Sequence, residues 1–140
     1  MSLEWTERLS VGNELLDLGI KNLIDMVNDI EKALKLADKS SLSQTFKRMD
    51  NFACEHFECE KKIALAVSLP FDTHMRAHQH MQRELHHIRQ QLVAMDGVWS
   101  EGAATHFATF MENWVVDHVT REDMLMKPVL QSYPYDFKPN

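Results

Sequence analysis

The sequence predicts an all-α protein, an antiparallel up-down-up-down four-helix bundle, and three observations predict it. Turn-forming residues cut the 140-residue chain at regular intervals: Gly12, the polar run 38–41, Pro70, Gly97 with Gly102, and finally Pro128, Pro134 and Pro139. The segments between them, 13–37, 41–68, 72–96 and 101–127, repeat apolar residues at alternating steps of three and four. That is the rhythm of a bundle seam, not the alternation of a strand. The connections are short, so consecutive helices run antiparallel.

Start signals fit each helix in turn. Gly12 precedes the first, Ser41 with Gln44 forms a capping-box pattern for the second, and Asp72 and Ser100 are candidate N-caps for the third and fourth. A composition of 44% hydrophobic and 26% charged residues suits one domain, read as a bundle over 1–128 followed by a C-terminal tail or linker over 129–140. There are 15 basic and 21 acidic residues, net charge −6, which argues against a nucleic-acid partner and against an anionic membrane surface. The opening MSLEWTERLS has no apolar leader core, and no stretch reaches the roughly 20 apolar residues of a membrane span, so a soluble cytoplasmic protein is expected. Cys54 and Cys59 lie five apart, about 140° around a helix, and read as reduced packing thiols. The motifs H-E-x-x-H, G-x-x-x-x-G-K and G-x-S-x-G are absent, which leaves binding as the expected role in place of catalysis.

Chemistry enters through the seams. The first, Leu16, Ile20, Leu23, Val27, Ile30, Leu34, is apolar throughout. The second runs Phe46, Met49, Ala53, His56, Glu60, Ile63, Val67, and the third His74, His78, Met81, Leu85, Ile88, Leu92. The fourth runs Phe107, Phe110, Trp114, His118, with Glu122 next on the seam and Asp123 beside it. Burying one neutral polar group without a partner costs about 1–3 kcal/mol, and a charge costs more, so these residues need one another or a metal. In an up-down-up-down bundle the end of one helix and the start of the next share a level. His56, Glu60, His74, His78, His118 and Asp123 therefore converge on one layer, with Ile20 facing it from the first helix. With 8 histidines, about half of one H-x-x-x-H pair is expected by chance, so it is the set on one level that argues for a metal. Imidazoles with carboxylates suit iron, zinc, copper or manganese, and spacing does not choose among them.

Three motifs in order, His56-Phe57-Glu58-Cys59-Glu60, His74 to His78, and Trp114, His118 and Asp123, resemble those of the hemerythrin family, as does the opening Trp5, Val11-Gly12, Leu16-Asp17. The resemblance covers nearly the whole chain. It implies two iron ions, bridged by an oxo or hydroxo group and two carboxylates, that bind dioxygen or another small exogenous ligand. It assigns His74, His78 and His118 to one iron, His56 to the other, and Glu60 and Asp123 as bridges. Spacing alone points to Glu122, in line with His118, and the resemblance to Asp123, which a locally widened turn would bring inward. The family's first-helix pattern D-x-x-H-x-x-L stands here as Asp17 to Leu23 with Ile20 at the ligand position. Losing that imidazole favours rapid oxidation by dioxygen over stable carriage. The expected role is therefore an oxygen or redox sensor, with a C-terminal signalling output domain as its partner and stand-alone carriage or iron storage as the alternative. Gly19, which costs about 1 kcal/mol against alanine inside a helix, marks room for a water or small ligand beside the iron.

The remaining polar residues take plain roles. Glu84 and His87 form a lone E-x-x-H off the seam, and His80, His86 and His106 read as surface residues. Trp5 is placed to close the metal end, Trp99 lies in a loop, and Met124 and Met126 are packing residues.

Overall fold

The computed structural model describes residues 3–139. Four long helices form it: α1 (Glu14–Lys35), α2 (Lys39–Ala66), α3 (Asp72–Met95) and α4 (Glu101–Arg121). α1 packs on α2 and α4, and α3 on the same two, which makes a square bundle with the expected antiparallel order. The seams form the core: Leu16, Ile20, Val27, Ile30, Phe46, Met49, Ile63, Leu85 and Met111 are all essentially sealed from solvent. No helix among the described residues is long and apolar enough to cross a membrane.

Helix ends explain where the sequence-based boundaries move. α1 closes in a left-handed turn at Ala37 (φ 50°), where the Asp38 N–H donates to the Ala33 carbonyl at 3.0 Å. That turn places Asp38 one residue before Lys39, and its carboxylate accepts from the Ser41 N–H at 3.0 Å. The expected Ser41–Gln44 capping box is therefore replaced by an Asp38 cap, three residues earlier. At α3 the cap position is Phe71, with no side-chain cap bond, and Asp72 is the first helical residue, where its charge complements the helix dipole. Ser100 caps α4 as its type predicts, accepting from the Ala103 N–H at 3.0 Å.

The largest departure is the end of α4. The helix stops at Arg121 and is followed by a 3-10 turn, Asp123–Met126, and a short helix α5, Lys127–Leu130. Beyond it the chain returns to the start of α1. The Glu14 N–H donates to the Tyr135 carbonyl at 2.8 Å, Asn13 Nδ2 to the Phe137 carbonyl at 3.0 Å, and the Tyr135 hydroxyl to Asp17 Oδ2 at 2.7 Å. Trp5 lies along the same end of α1, with Lys21 Nζ 4.2 Å from the centre of its ring. At the opposite end Trp99 Nε1 donates to the Leu34 carbonyl at 2.9 Å, taking up one of the free acceptors where α1 finishes. Cys54 is exposed, not packed, and only Cys59 is half-buried.

Candidate metal centre

Glu60 sits at the middle of the layer, 1% exposed, and its two oxygens face different histidines. Oε1 is 2.7 Å from His56 Nε2, one helical turn away on α2. Oε2 is 2.9 Å from His74 Nε2 and 3.3 Å from His78 Nε2, both from the first two turns of α3. Asp123 Oδ1 closes the far side, 2.9 Å from His74 Nε2 and 3.0 Å from His118 Nε2. Each of Glu60, His74, His78, His118 and Asp123 offers one ligand atom, and these lie within 4.8 Å of one another. His56 stands just outside that group and joins it through Glu60.

The break in α4 places the two acidic candidates differently. Glu122 (φ −109°, ψ −55°) ends the helix and is half-buried, whereas Asp123 opens the 3-10 turn and is 2% exposed. The device is a helix end followed by a tighter turn, in place of the widened turn anticipated from spacing.

Several atoms here have no partner of acceptable hydrogen-bond geometry. They are His56 Nε2, both Glu60 oxygens, Nε2 of His74, His78 and His118, and Asp123 Oδ1, all buried. Buried polar atoms left this way are rare in folded proteins. Nitrogens and oxygens that approach within ion-pair distance yet do not align as donors and acceptors are arranged around a common point. This is the arrangement a cation requires, and imidazole with carboxylate is a donor set suited to iron.

Protonation in the metal-free state follows the same contacts. Burial works against the Glu60 carboxylate, but His56, His74 and His78 outweigh it and hold its pKa well below the usual range. Burial also opposes charge on His56, and the negative charge of Glu60 reverses that, leaving its pKa raised. His74 is raised to about 9, its burial overcome by contacts with Asp123 and Glu60. His78 goes down, because burial dominates there. A metal must therefore displace a proton from His74 below that pH.

Two aromatic residues without a sequence-based assignment steady the imidazoles. Phe57 stacks on His78 with ring centres 3.8 Å apart and 7° between planes, and Phe71 stacks on His74 at 4.5 Å and 22°. The one sequence hint was position: Phe57 follows His56, and Phe71 immediately precedes the third helix. The surface histidines His80, His86, His87 and His106 are exposed, and His80 pairs with half-buried Glu84 at 3.3 Å.

α1 brings backbone to this layer, not a donor. A Cβ on Gly19 would lie 2.0 Å from His56 Nδ1 and 2.4 Å from Cε1. The glycine makes room for the His56 ring, which corrects the expectation of space for a water or small ligand. Ile20 is 1% exposed and apolar. The nearest buried carboxylate on the helix, Asp17, is already engaged by Ser10 Oγ at 2.6 Å, the Val11 N–H at 2.8 Å and the Tyr135 hydroxyl at 2.7 Å.

Comparison with known proteins agrees with this geometry. The chain is 20% identical over 122 residues to a bacteriohemerythrin of Stenotrophomonas maltophilia (strain R551-3), covering 86% of this chain and 76% of that one. Bacteriohemerythrins of Pseudomonas aeruginosa (strain LESB58) and Pseudomonas paraeruginosa (strain DSM 24068 / PA7) are each 19% identical with the same coverage. The sequence profile described as the hemerythrin HHE cation binding domain matches residues 13–130, which spans all four helices, the break at Asp123 and α5. The chain belongs to the hemerythrin family.

Proposed function

We propose that this domain holds a pair of iron ions and uses them to sense dioxygen or redox state, in preference to carrying oxygen. The observation that carries the reading is Glu60, whose two oxygens face separate imidazole sets, as a carboxylate shared between two metals would. His74, His78 and His118 would hold one iron and His56 the other, with Glu60 and Asp123 as carboxylates serving both. When bound, iron supplies an electron-rich centre that combines with dioxygen and is oxidised by it.

The chain's own residues set the conditions for that chemistry. Every ligand candidate is at most 8% exposed, so large reductants are kept out. A surface cleft of about 270 Å³ between α3 and α4, lined by Met81, Trp114, Arg121 and Glu122, reaches His118 and offers a small molecule an approach. On α1, Ile20 supplies apolar packing where a carrier's imidazole stands, which leaves the His56 side short of nitrogen donors. Poor donation from protein favours a centre that changes state once and reports it. The path outward is short: Gly19 touches His56, Asp17 is two residues away, and Tyr135 of the C-terminal segment is hydrogen-bonded to Asp17. An output domain or partner coupled to that segment would read the change.

Metal analysis is expected to give about two irons per chain, and air should oxidise the reduced protein quickly and without a stable oxygenated form. A form that gives up dioxygen under vacuum and can be reloaded would replace sensing with carriage. Sustained turnover with an added reductant would make the protein an oxidase.

A further inference from the structure

We infer that the two metal positions are held unequally: a durable one on the three-histidine side and an exchangeable one on the His56 side. The inference rests on the iron-pair reading and adds that this chain sets the occupancy of its second metal by supply from solution. Around Glu60 the donors in contact divide five to two, or five to three once Asp123 is shared between the metals. Nε2 of His74, His78 and His118, Glu60 Oε2 and Asp123 Oδ1 share one side. His56 Nε2 and Glu60 Oε1 make the other.

Nothing on α1 repairs that imbalance. Ile20 has no donor atom, Gly19 contributes only clearance for the His56 ring, and Asp17 is locked by three hydrogen bonds. The support behind the ligands is unequal as well. His74 and His78 each lie flat against a phenylalanine at 4.5 Å or less, while the ring nearest to parallel with His56, that of Phe52, is 6.2 Å away. Iron prefers about six donors, so the first side needs at most one from solution and the second needs several. Loss of a hydrogen-bonding partner behind a metal ligand already weakens metal affinity about 10–100-fold, and loss of a ligand itself weakens it further. The domain therefore passes through a one-iron state over a range of iron(II) concentration, and in that state the redox pair is incomplete.

The test is to load the full chain with iron(II) without air and follow its removal by a chromogenic iron(II) chelator. Native mass spectrometry then counts the metals left at each time. Two phases of about one iron each are expected, the fast one at least about 100-fold faster, with a one-iron species accumulating between them. Free imidazole should slow the fast phase alone, and Ile20→His should bring the two rates to within about tenfold. Because the wild-type chain carries the main measurement, a poorly folding variant does not blunt it. Both irons leaving together at one rate, with no one-iron species, overturns the inequality and leaves the iron pair intact. Failure to bind iron at all overturns both.

Discussion

The two ends of the bundle continue the same heptad rhythm and solve opposite problems. At the far end, where α1 runs into α2 and α3 into α4, the seam is Ile30, Leu34, Leu42, Phe46, Leu92 and Phe107, all buried. Its chain reversals are tied by the Asp38 and Ser100 caps and by Trp99 on the Leu34 carbonyl. Among the described residues the buried carboxylate at that end is Glu31, which has Lys35 at 3.3 Å. At the near end the same positions carry His56, Glu60, His74, His78, His118 and Asp123. Apolar contact at the far end is favourable without further help. The near end encloses ionisable groups set against one another, so a metal would change its energetics far more than those of the far end.

The change expected to separate the ends most strongly is Glu60→Ala. It removes the carboxylate against which His56, His74 and His78 are all set, so iron content should fall to near zero. The metal-free fold should lose about 3–5 kcal/mol, the usual result of leaving buried charge without its partner. Near-normal iron content in this variant, measured on folded protein, would refute the central place given to Glu60. Phe46→Ala is the mirror experiment. Phe46 is 1% exposed, and truncating it should cost about 3–5 kcal/mol in a chemical denaturation curve. The protein that remains folded should still bind its full complement of iron. A loss of iron in step with stability would mean that the ends are coupled more tightly than their contacts imply.

Gly19→Ala sharpens the comparison within the near end. In an exposed helix this exchange gains about 1 kcal/mol from propensity alone. Here the new methyl would meet the His56 ring at 2.0 Å, so the ring or the helix must shift. The expected net effect is a loss of about 1–3 kcal/mol, together with weaker metal binding on the His56 side alone. A stabilised protein with unchanged iron content would show that His56 has another place to go.

How much of this was legible follows the same division. The far end is a matter of period and caps, and period is what a sequence displays best. At the near end the sequence showed which polar residues meet on one level, because a histidine in place of a leucine on a seam leaves the rhythm intact. The details came from backbone that no pattern encodes. Asp123 turns inward because α4 stops at Arg121 and the chain tightens into a 3-10 turn. Gly19 is glycine because of a ring on another helix, thirty-seven positions away in sequence. The first turn of α2 is set by where α1 ends, since the left-handed Ala37 delivers Asp38 as the cap before Ser41 is reached. The C-terminal segment offered no seam to read. Its fit depends on Tyr135 meeting Asp17, a contact across 118 positions.

That contact yields the smallest effect and the most specific signature. Tyr135→Phe removes one donor from Asp17 and leaves the Ser10 and Val11 donors in place, so about 1 kcal/mol of stability should be lost at neutral pH. The pH dependence separates this hydrogen bond from mere packing of the ring. Partial burial, and then the Asp17 hydrogen bond, raise the Tyr135 pKa from 10.0 to about 12, so the folded protein keeps the phenol protonated where an unfolded chain would release it. A raised pKa contributes stability in full below the unfolded value and loses it as pH climbs through the folded one. The gap between wild type and Tyr135→Phe should therefore stay constant up to about pH 10 and close between about pH 10 and 12. Paired denaturation curves at pH 8 and pH 11 measure it. A gap of the same size at both would mean that the hydroxyl donates nothing to Asp17, and that the segment is held to the start of α1 by the Tyr135 and Phe137 carbonyls alone.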